Sequence, residues 1–459
     1  MIRFSRIAAR WLCYAAAVAA SAQQSSLTIQ DAINRSISSY PAIQNSMEQV
    51  EAAAAGINLA RTTYLPRADF LGQVNRATHN NVFGLLLPQT VIPSISGPVL
   101  GTNSLSNVWG SAVGTLVSWE PADFGLRRAN VESAKASRDR LAAEVNVTRL
   151  QVAVAVSDAF LTMLAAQQTM VAAAAGVERA RVLNQVLETL VTNELRPGAD
   201  ASRSRAELAA AQTLQIQAEQ SRDVARAALA QLLGVTPDTI SIQPGPLLDS
   251  PPATPVPSIM ASQHPLALAG AAAVTEVKAR EYALNRSYFP RLYLQAAEYA
   301  RGTGIQADGH TGGVASGLGP NIQNWAIGAS IVFPAFDYFS VRAKKEAEVH
   351  NELAATARYK QTLQDVTGQV EKAKAVLDGA RRVAQNTPIQ LEAARATEQQ
   401  ATARYKAGLG NITEVAEAQR LLTQTEIDDS LARLGVWRAL LGVAAAEGEL
   451  APFLASAAK

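Results

Sequence analysis

Leu65-Pro66-Arg67 and Phe289-Pro290-Arg291 each close an Ala-rich stretch of helical pattern and open an alternating one. The first stretch begins at Tyr40-Pro41 and the second at His264-Pro265, in the same spacing and with no gap. The echo continues at Val113-Gly114 and Ile327-Gly328, at Asp123 and Asp337, and at Gly198 and Gly408. It ends at Leu232-Leu233-Gly234 and Leu440-Leu441-Gly442. The offset shrinks slowly, as it does when only loops differ between two copies. The chain reads as a tandem duplication of a unit of roughly two hundred residues, longer than the usual solenoid periods. On this reading residues 23–234 form repeat 1, 235–258 a Pro-rich linker, 259–447 repeat 2 and 448–459 a tail.

Abundant Ala with only 5% aromatic residues suggests long helices in coiled-coil contact rather than a compact aromatic core. Residues 1–22 read as a secretory signal. Arg3, Arg6 and Arg10 form its basic start, Trp11 to Ala20 its apolar centre, and Ala20-Ser21-Ala22 a small-residue cleavage site. Cys13, the single cysteine, goes with it, so no disulfide is expected in the mature chain. Its removal takes the formal net charge from +2 to −1, because three arginines and no acids leave with it. A near-neutral chain without a basic block argues against nucleic acid as a partner. Beyond residue 24 no apolar run is long enough to predict a bilayer-spanning helix.

The helix lengths add up. Residues 125–194 hold no proline and would span about 105 Å if helical throughout. Arg196-Pro197-Gly198 breaks that run, and Asp200 is placed to cap a returning helix over 200–234. In the second copy a long helix over 341–407, with Pro388 as its expected kink, turns at Gly408-Leu409-Gly410 into a helix over 411–447. Asn411 and Glu414 read as a capping pair there. A helix from the Thr28/Asp31 capping pair to Tyr64, stacked on the helix 200–234, equals the long helix beside them. One long helix flanked by two stacked short ones makes a wall of even height. Copy two repeats the relation.

The alternating stretches predict two strand pairs, 67–78 with 107–119 and 291–301 with 324–333. Trp109, Val113, Val117 and Trp119 share one face, opposed by Gly110, Ala112, Gly114 and Ser118; Trp325, Ile327, Ile331 and Phe333 repeat the pattern. An apolar face with aromatics near its ends, backed by small or polar residues, suits an outer-membrane barrel wall, with Trp109, Trp119, Trp325 and Phe333 as interface aromatics. A half-buried sheet in a soluble domain would alternate in the same way. Four strands cannot close a barrel, since the smallest have about eight, and an open edge in lipid leaves backbone groups unpaired. The chain is therefore expected to oligomerise, three copies giving about twelve strands around a water-filled lumen.

These motifs, in this order, resemble the TolC-like outer-membrane efflux protein family over essentially the whole mature length. The likeness rests on Leu27-Thr28-Ile29-Gln30-Asp31-Ala32, the two Pro-Arg strand entries and Asp123-Phe124-Gly125-Leu126-Arg127. It rests also on Tyr405-Lys406-Ala407-Gly408 with Glu414-Val415 beyond, and on the paired Leu-Leu-Gly ends. The resemblance implies an α+β membrane protein: a homotrimer with a 12-stranded β-barrel, four strands per chain, in outer-membrane lipid, continuous with a periplasmic α-helical barrel. It implies docking through the hairpin tips to a periplasmic adaptor and an inner-membrane pump of RND, ABC or MFS type. The function implied is the passive, tip-gated exit duct of a tripartite efflux or type I secretion system. A secreted coiled-coil scaffold or stalk without a pore is the alternative.

Within that resemblance Glu414 and Glu417, three apart on one helix face, would line the periplasmic entrance. Tyr405 matches a position that holds the tip closed, with Arg404 and Lys406 as possible helpers. Pro197, Gly198, Asp200, Gly408, Gly410 and Asn411 form the two docking turns; the first is shorter than the family's usual one. The family's arginine after the second-tip glycine is absent, Leu409-Gly410 standing in its place. Nothing reads as an active site: His79, His264, His310 and His350 are scattered without metal-ligand spacing, so neither an enzyme nor a cofactor is expected.

Overall fold

The computed structural model describes residues 26–78, 107–249, 260–306, 310–334 and 337–458. The signal segment 1–22 with Cys13, the loop carrying His79, Pro88, Pro93 and Pro98, and linker residues 250–258 lie outside the described residues. By internal contacts the chain divides into two units. One comprises the described parts of 1–48, 143–269 and 360–459, and the other those of 49–142 and 270–359.

The elements run α1 (Ile29–Ser39), α2 (Pro41–Thr62), β1 (Arg67–Thr78), β2 (Asn107–Ala122), α3 (Leu126–Thr192) and α4 (Gly198–Leu233). They continue with α5 (Pro265–Arg286), β3 (Arg291–Thr303), β4 (Ile322–Val332), α6 (Tyr338–Lys406), α7 (Ile412–Glu447) and α8 (Ala451–Ala457). Thr28 caps α1 in a complete capping box with Asp31. The single helix expected from there to Tyr64 is two. Pro41 pushes Tyr40 out of the helical region to φ −71°, ψ 125°, which ends α1. Pro388, expected to kink its helix, sits inside α6, which stays helical from Tyr338 to Lys406.

The first unit has one large core. Val156, Phe160, Leu161 and Leu164 of α3 meet Ile29 and Ile33 of α1, Leu229 and Leu233 of α4, and Leu440 and Leu441 of α7. By length and composition alone α3 does hold a stretch apolar enough to cross a membrane, contrary to the sequence reading; Val156, Phe160, Leu161 and Leu164 of α3 lie in this core. Residues 235–249 are not a simple linker either. Leu27 bridges Ile242, Leu247 is fully buried, and Trp437 Nε1 donates to the Asp249 carbonyl at 3.3 Å. The tail at 448–459 contains α8, whose Phe453 meets Trp437 edge-on at 6.3 Å. Asp429 is buried, accepting from Thr387 Oγ1 at 3.1 Å and paired with Arg433 at 2.8 Å.

The second unit carries one antiparallel sheet in the order β1-β2-β3-β4. Phe70 stands opposite Thr115, Thr115 opposite Glu298, and Glu298 opposite Trp325. Strand alternation therefore gathers Phe70, Val74, Val117, Trp119, Leu294, Trp325, Ile327 and Ile331 on one face, all exposed. Arg76 and Glu298 are the charged members of that face among the described residues. The opposite face carries Arg67, Asp69, Gln73, Gln295, Tyr299, Arg301 and Asn324, with Ala112 and Gly114 between. Gly114 is required where it stands, because a Cβ there would lie 2.4 Å from that of Tyr299.

At the sheet's helical end the backbone is pinned by Asp123. It accepts from Gly125 N at 3.1 Å and from Arg127 N, and pairs with Arg127 Nε at 3.1 Å. The guanidinium also donates to the Thr63 carbonyl at 3.2 Å and lies 4.6 Å from the Tyr64 ring centre. Trp119 Nε1 donates to the Tyr64 carbonyl at 3.0 Å. One residue pair thus ties the end of β2, the start of α3 and the end of α2 together. Burial alone would raise the Asp123 carboxyl, but the bonds from Arg127 and Gly125 outweigh it and hold the group below its ordinary value.

Both side chains of this ion pair are buried, so Asp123→Ala strands the Arg127 charge and should destabilise the detergent-solubilised protein by roughly 3–5 kcal/mol in thermal unfolding. The depressed carboxyl contributes stability that is fully present above about pH 4, the unfolded value, and is lost as pH falls through the folded one. The gap between wild type and Asp123→Asn should therefore narrow below about pH 4.

Candidate functional site

The two helical hairpins of the first unit end close together. The α3–α4 turn closes on Glu194, which adopts a left-handed φ of 58°, an unusual conformation for a residue with a Cβ that no local pattern signals. Pro197 precedes α4 without a side-chain cap. Asp200, expected as the cap, lies inside the first turn, where its charge favours the helix N-terminus. Gly198 takes no special backbone angle. Gly408, by contrast, has a φ of +76° and ends α6 in a left-handed turn. Asn411 caps α7, its Oδ1 accepting from Glu414 N at 2.9 Å. Gly410 packs under that turn, where an added Cβ would lie 3.2 Å from the Glu414 carboxylate.

Tyr405 joins the hairpins. It is buried with Leu187, Ile412 and Val415, beside Leu183 and Ala401. Arg196 lies 4.7 Å from its ring centre and donates from Nη2 to its carbonyl at 3.3 Å. The phenol donates to Asp200 Oδ2 at 3.5 Å, a long and weak bond. Burial is the main cause raising the phenol above its ordinary range; Arg196 opposes it and Asp200 adds to it. Arg404 donates to the Leu409 carbonyl at 3.3 Å, within its own turn, and does not bridge the hairpins. Arg196, read from sequence only as part of a helix break, is the cation against Tyr405. No local spacing pairs residues so far apart in the chain. Tyr405 and Arg196 also line a cleft of about 770 Å3 with Val182, Val186, Leu190 and Thr402.

Glu414 and Glu417 are exposed on one face of α7, away from the buried Val415, Ala416 and Ala418. In the sheet, Trp119, Trp325 and Phe333 are exposed, Phe333 falling just past the end of β4. Trp109 is partly covered and has Arg76 at 5.2 Å from its ring.

The Arg196–Tyr405 contact should appear as a coupling of about 0.5–2 kcal/mol in a double-mutant cycle of Arg196→Ala and Tyr405→Leu, read by thermal unfolding. Tyr405→Phe should cost under about 1 kcal/mol, since the bond it removes is long.

Comparison with known proteins places the chain. It is 26% identical over 222 residues to Protein CyaE of Bordetella pertussis, a match covering 48% of this chain and 43% of CyaE. The chain thus matches less than half the length of that curated relative. In fold it is similar to the outer-membrane channel OprN, with a TM-score of 0.70 at 21% identity over 92% of this chain and 89% of OprN. It is likewise similar to the CmeC outer membrane channel of Campylobacter jejuni, with a TM-score of 0.72 at 16% identity over 92% and 85% of the two chains. A family model described as outer membrane efflux protein matches residues 32–235 and 257–449. Spanning most of the length, that match makes the chain a member of the outer membrane efflux protein family.

Proposed function

We propose that the chain is the outer-membrane exit duct of a tripartite efflux or type I secretion system, working as a homotrimer. The observation that carries this is the sheet, with four strands, two edges that find no partner among the described residues, and one exposed apolar face. In lipid such edges must be paired, and three copies edge to edge give about twelve strands. Trp109 and Trp119 are ten residues apart on β2, about 34 Å of strand. At a tilt of about 40° that is an apolar band of about 25 Å, the height of a barrel's lipid belt. A secreted stalk would have no use for such a face.

The hairpin ends form the periplasmic entrance and dock an adaptor that brings an inner-membrane pump of RND, ABC or MFS type. The duct itself supplies no energy. Tyr405, held by Arg196, keeps the hairpins together, and opening separates them. Glu414 and Glu417 of three chains present six carboxylates at the entrance, a ring that attracts cations and repels anions.

Carbonate washing of membranes should leave the protein behind, and detergent should release it as a trimer; release as a monomer by carbonate would sink the duct. In planar bilayers Glu414→Gln with Glu417→Gln should lower cation preference. Unchanged selectivity would take both residues out of the ring.

A further inference from the structure

The loop after β3 folds back over the sheet. Ile305 bridges Thr311, Gly304 N donates to the Trp109 carbonyl at 2.8 Å, and Gly312 N donates to the Gly304 carbonyl at 2.8 Å. Its side is fixed by alternation. Gly302 and Ser111 stand opposite each other on the face that carries Leu294, Trp325 and Ile327. A Cβ at Gly302 would lie 2.3 Å from the Gly319 carbonyl and 2.7 Å from Ser111 Oγ. At Gly319 the loop therefore crosses the exposed apolar face, against the buried Ser111.

Its chemistry matches that place. From Thr311 to Gln323 no residue is charged. Val314 is 94% exposed and Leu318 is exposed beside it, on a segment of Gly312, Gly313, Gly317 and Gly319. An aqueous loop has no need of two bare aliphatic side chains and no charge. At the rim of a lipid belt, next to the Trp109 level, that composition is favourable, since apolar and aromatic groups partition to the bilayer interface.

We propose that residues 310–321 are a membrane anchor, bedded in the outer leaflet against the barrel's outer wall. The partner is a lipid surface, met through Val314 and Leu318. The proposal rests on the reading of the sheet as a barrel wall, and its test separates the two.

A bimane label is placed by Val314→Cys or by Ile327→Cys in a Cys13→Ala background. The labelled trimers are reconstituted in phosphatidylcholine–phosphatidylglycerol vesicles containing doxyl lipid. Both labels should emit blue-shifted light and be quenched by the doxyl lipid, that at position 314 more by a shallow doxyl group. Quenching at position 327 with water-like, iodide-accessible emission at 314 would overturn the anchor and leave the barrel standing. Quenching at neither position would remove the barrel wall and the anchor with it. Gly302→Val, which has no room beneath Gly319, should weaken quenching at 314 and not at 327; unchanged quenching at 314 would overturn the bedding of the loop on Gly302.

Discussion

An unpaired strand edge is what the rest of this molecule answers to. Each backbone group left without a partner in hydrocarbon costs several kcal/mol, and among the described residues β1 and β4 each present a whole row of them. In water the edges could be solvated, but the same sheet shows Phe70, Trp325 and Ile327 bare, with Ile327 77% exposed. An apolar face and an open edge make opposite demands of water. On the proposed reading, lipid on the face and another copy on the edge would satisfy both. The polar residues of the other face, Gln295, Tyr299, Arg301 and Asn324, would then line the inside, as the proposed water-filled lumen requires.

A wall of this kind must be continued into helices without a loose joint, and Asp123 does that locally. Its carboxylate takes two backbone N–H groups at the start of α3 and fixes Arg127, which in turn reaches Thr63 at the end of α2. Phe124 and Gly125 both have positive φ, a backbone path that the Asp123 carboxylate holds in place. An interaction confined to one turn thereby couples a strand to two helices.

Much of this was legible in the residues, and the failures have physical causes. Pro66 and Pro290 mark the strand entries because proline ends a helix and tolerates the first extended position. Thr28 with Asp31 marks a helix start for the same local reason. The break at Tyr40 follows the same proline rule, although the summed helix lengths are the same with or without it. Leu431 fits the spacing of a seam with Ile427 and Leu434 yet is exposed, because on a helix touched from several sides spacing does not say which side is covered. Asp429 stands beside Asp428 in sequence yet is buried; its partner Thr387 lies on another helix and leaves no trace in local pattern. The hairpin ends were visible as glycine and proline turns. The partner of Tyr405 was not, because Arg196 reaches it through the meeting of two hairpins rather than along one.

That meeting has an energetic consequence. The core around Phe160 and Trp437 draws on seven helices and the segment after α4, whereas the cluster at the hairpin ends has four buried residues, Leu187, Tyr405, Ile412 and Val415. Cooperative opening takes place where few apolar contacts must be broken. At the hairpin ends the burial is small, the phenol bond is long, and the Arg196 stack is worth about 0.5–2 kcal/mol. A partner bound at the turns could supply that much from a modest interface, without disturbing the core below. A residue that locks such a junction should bind both hairpins weakly and through more than one kind of contact. Arg196 fits that description, with its stack on the Tyr405 ring and its bond to the Tyr405 carbonyl, both of which the proposed opening would break together.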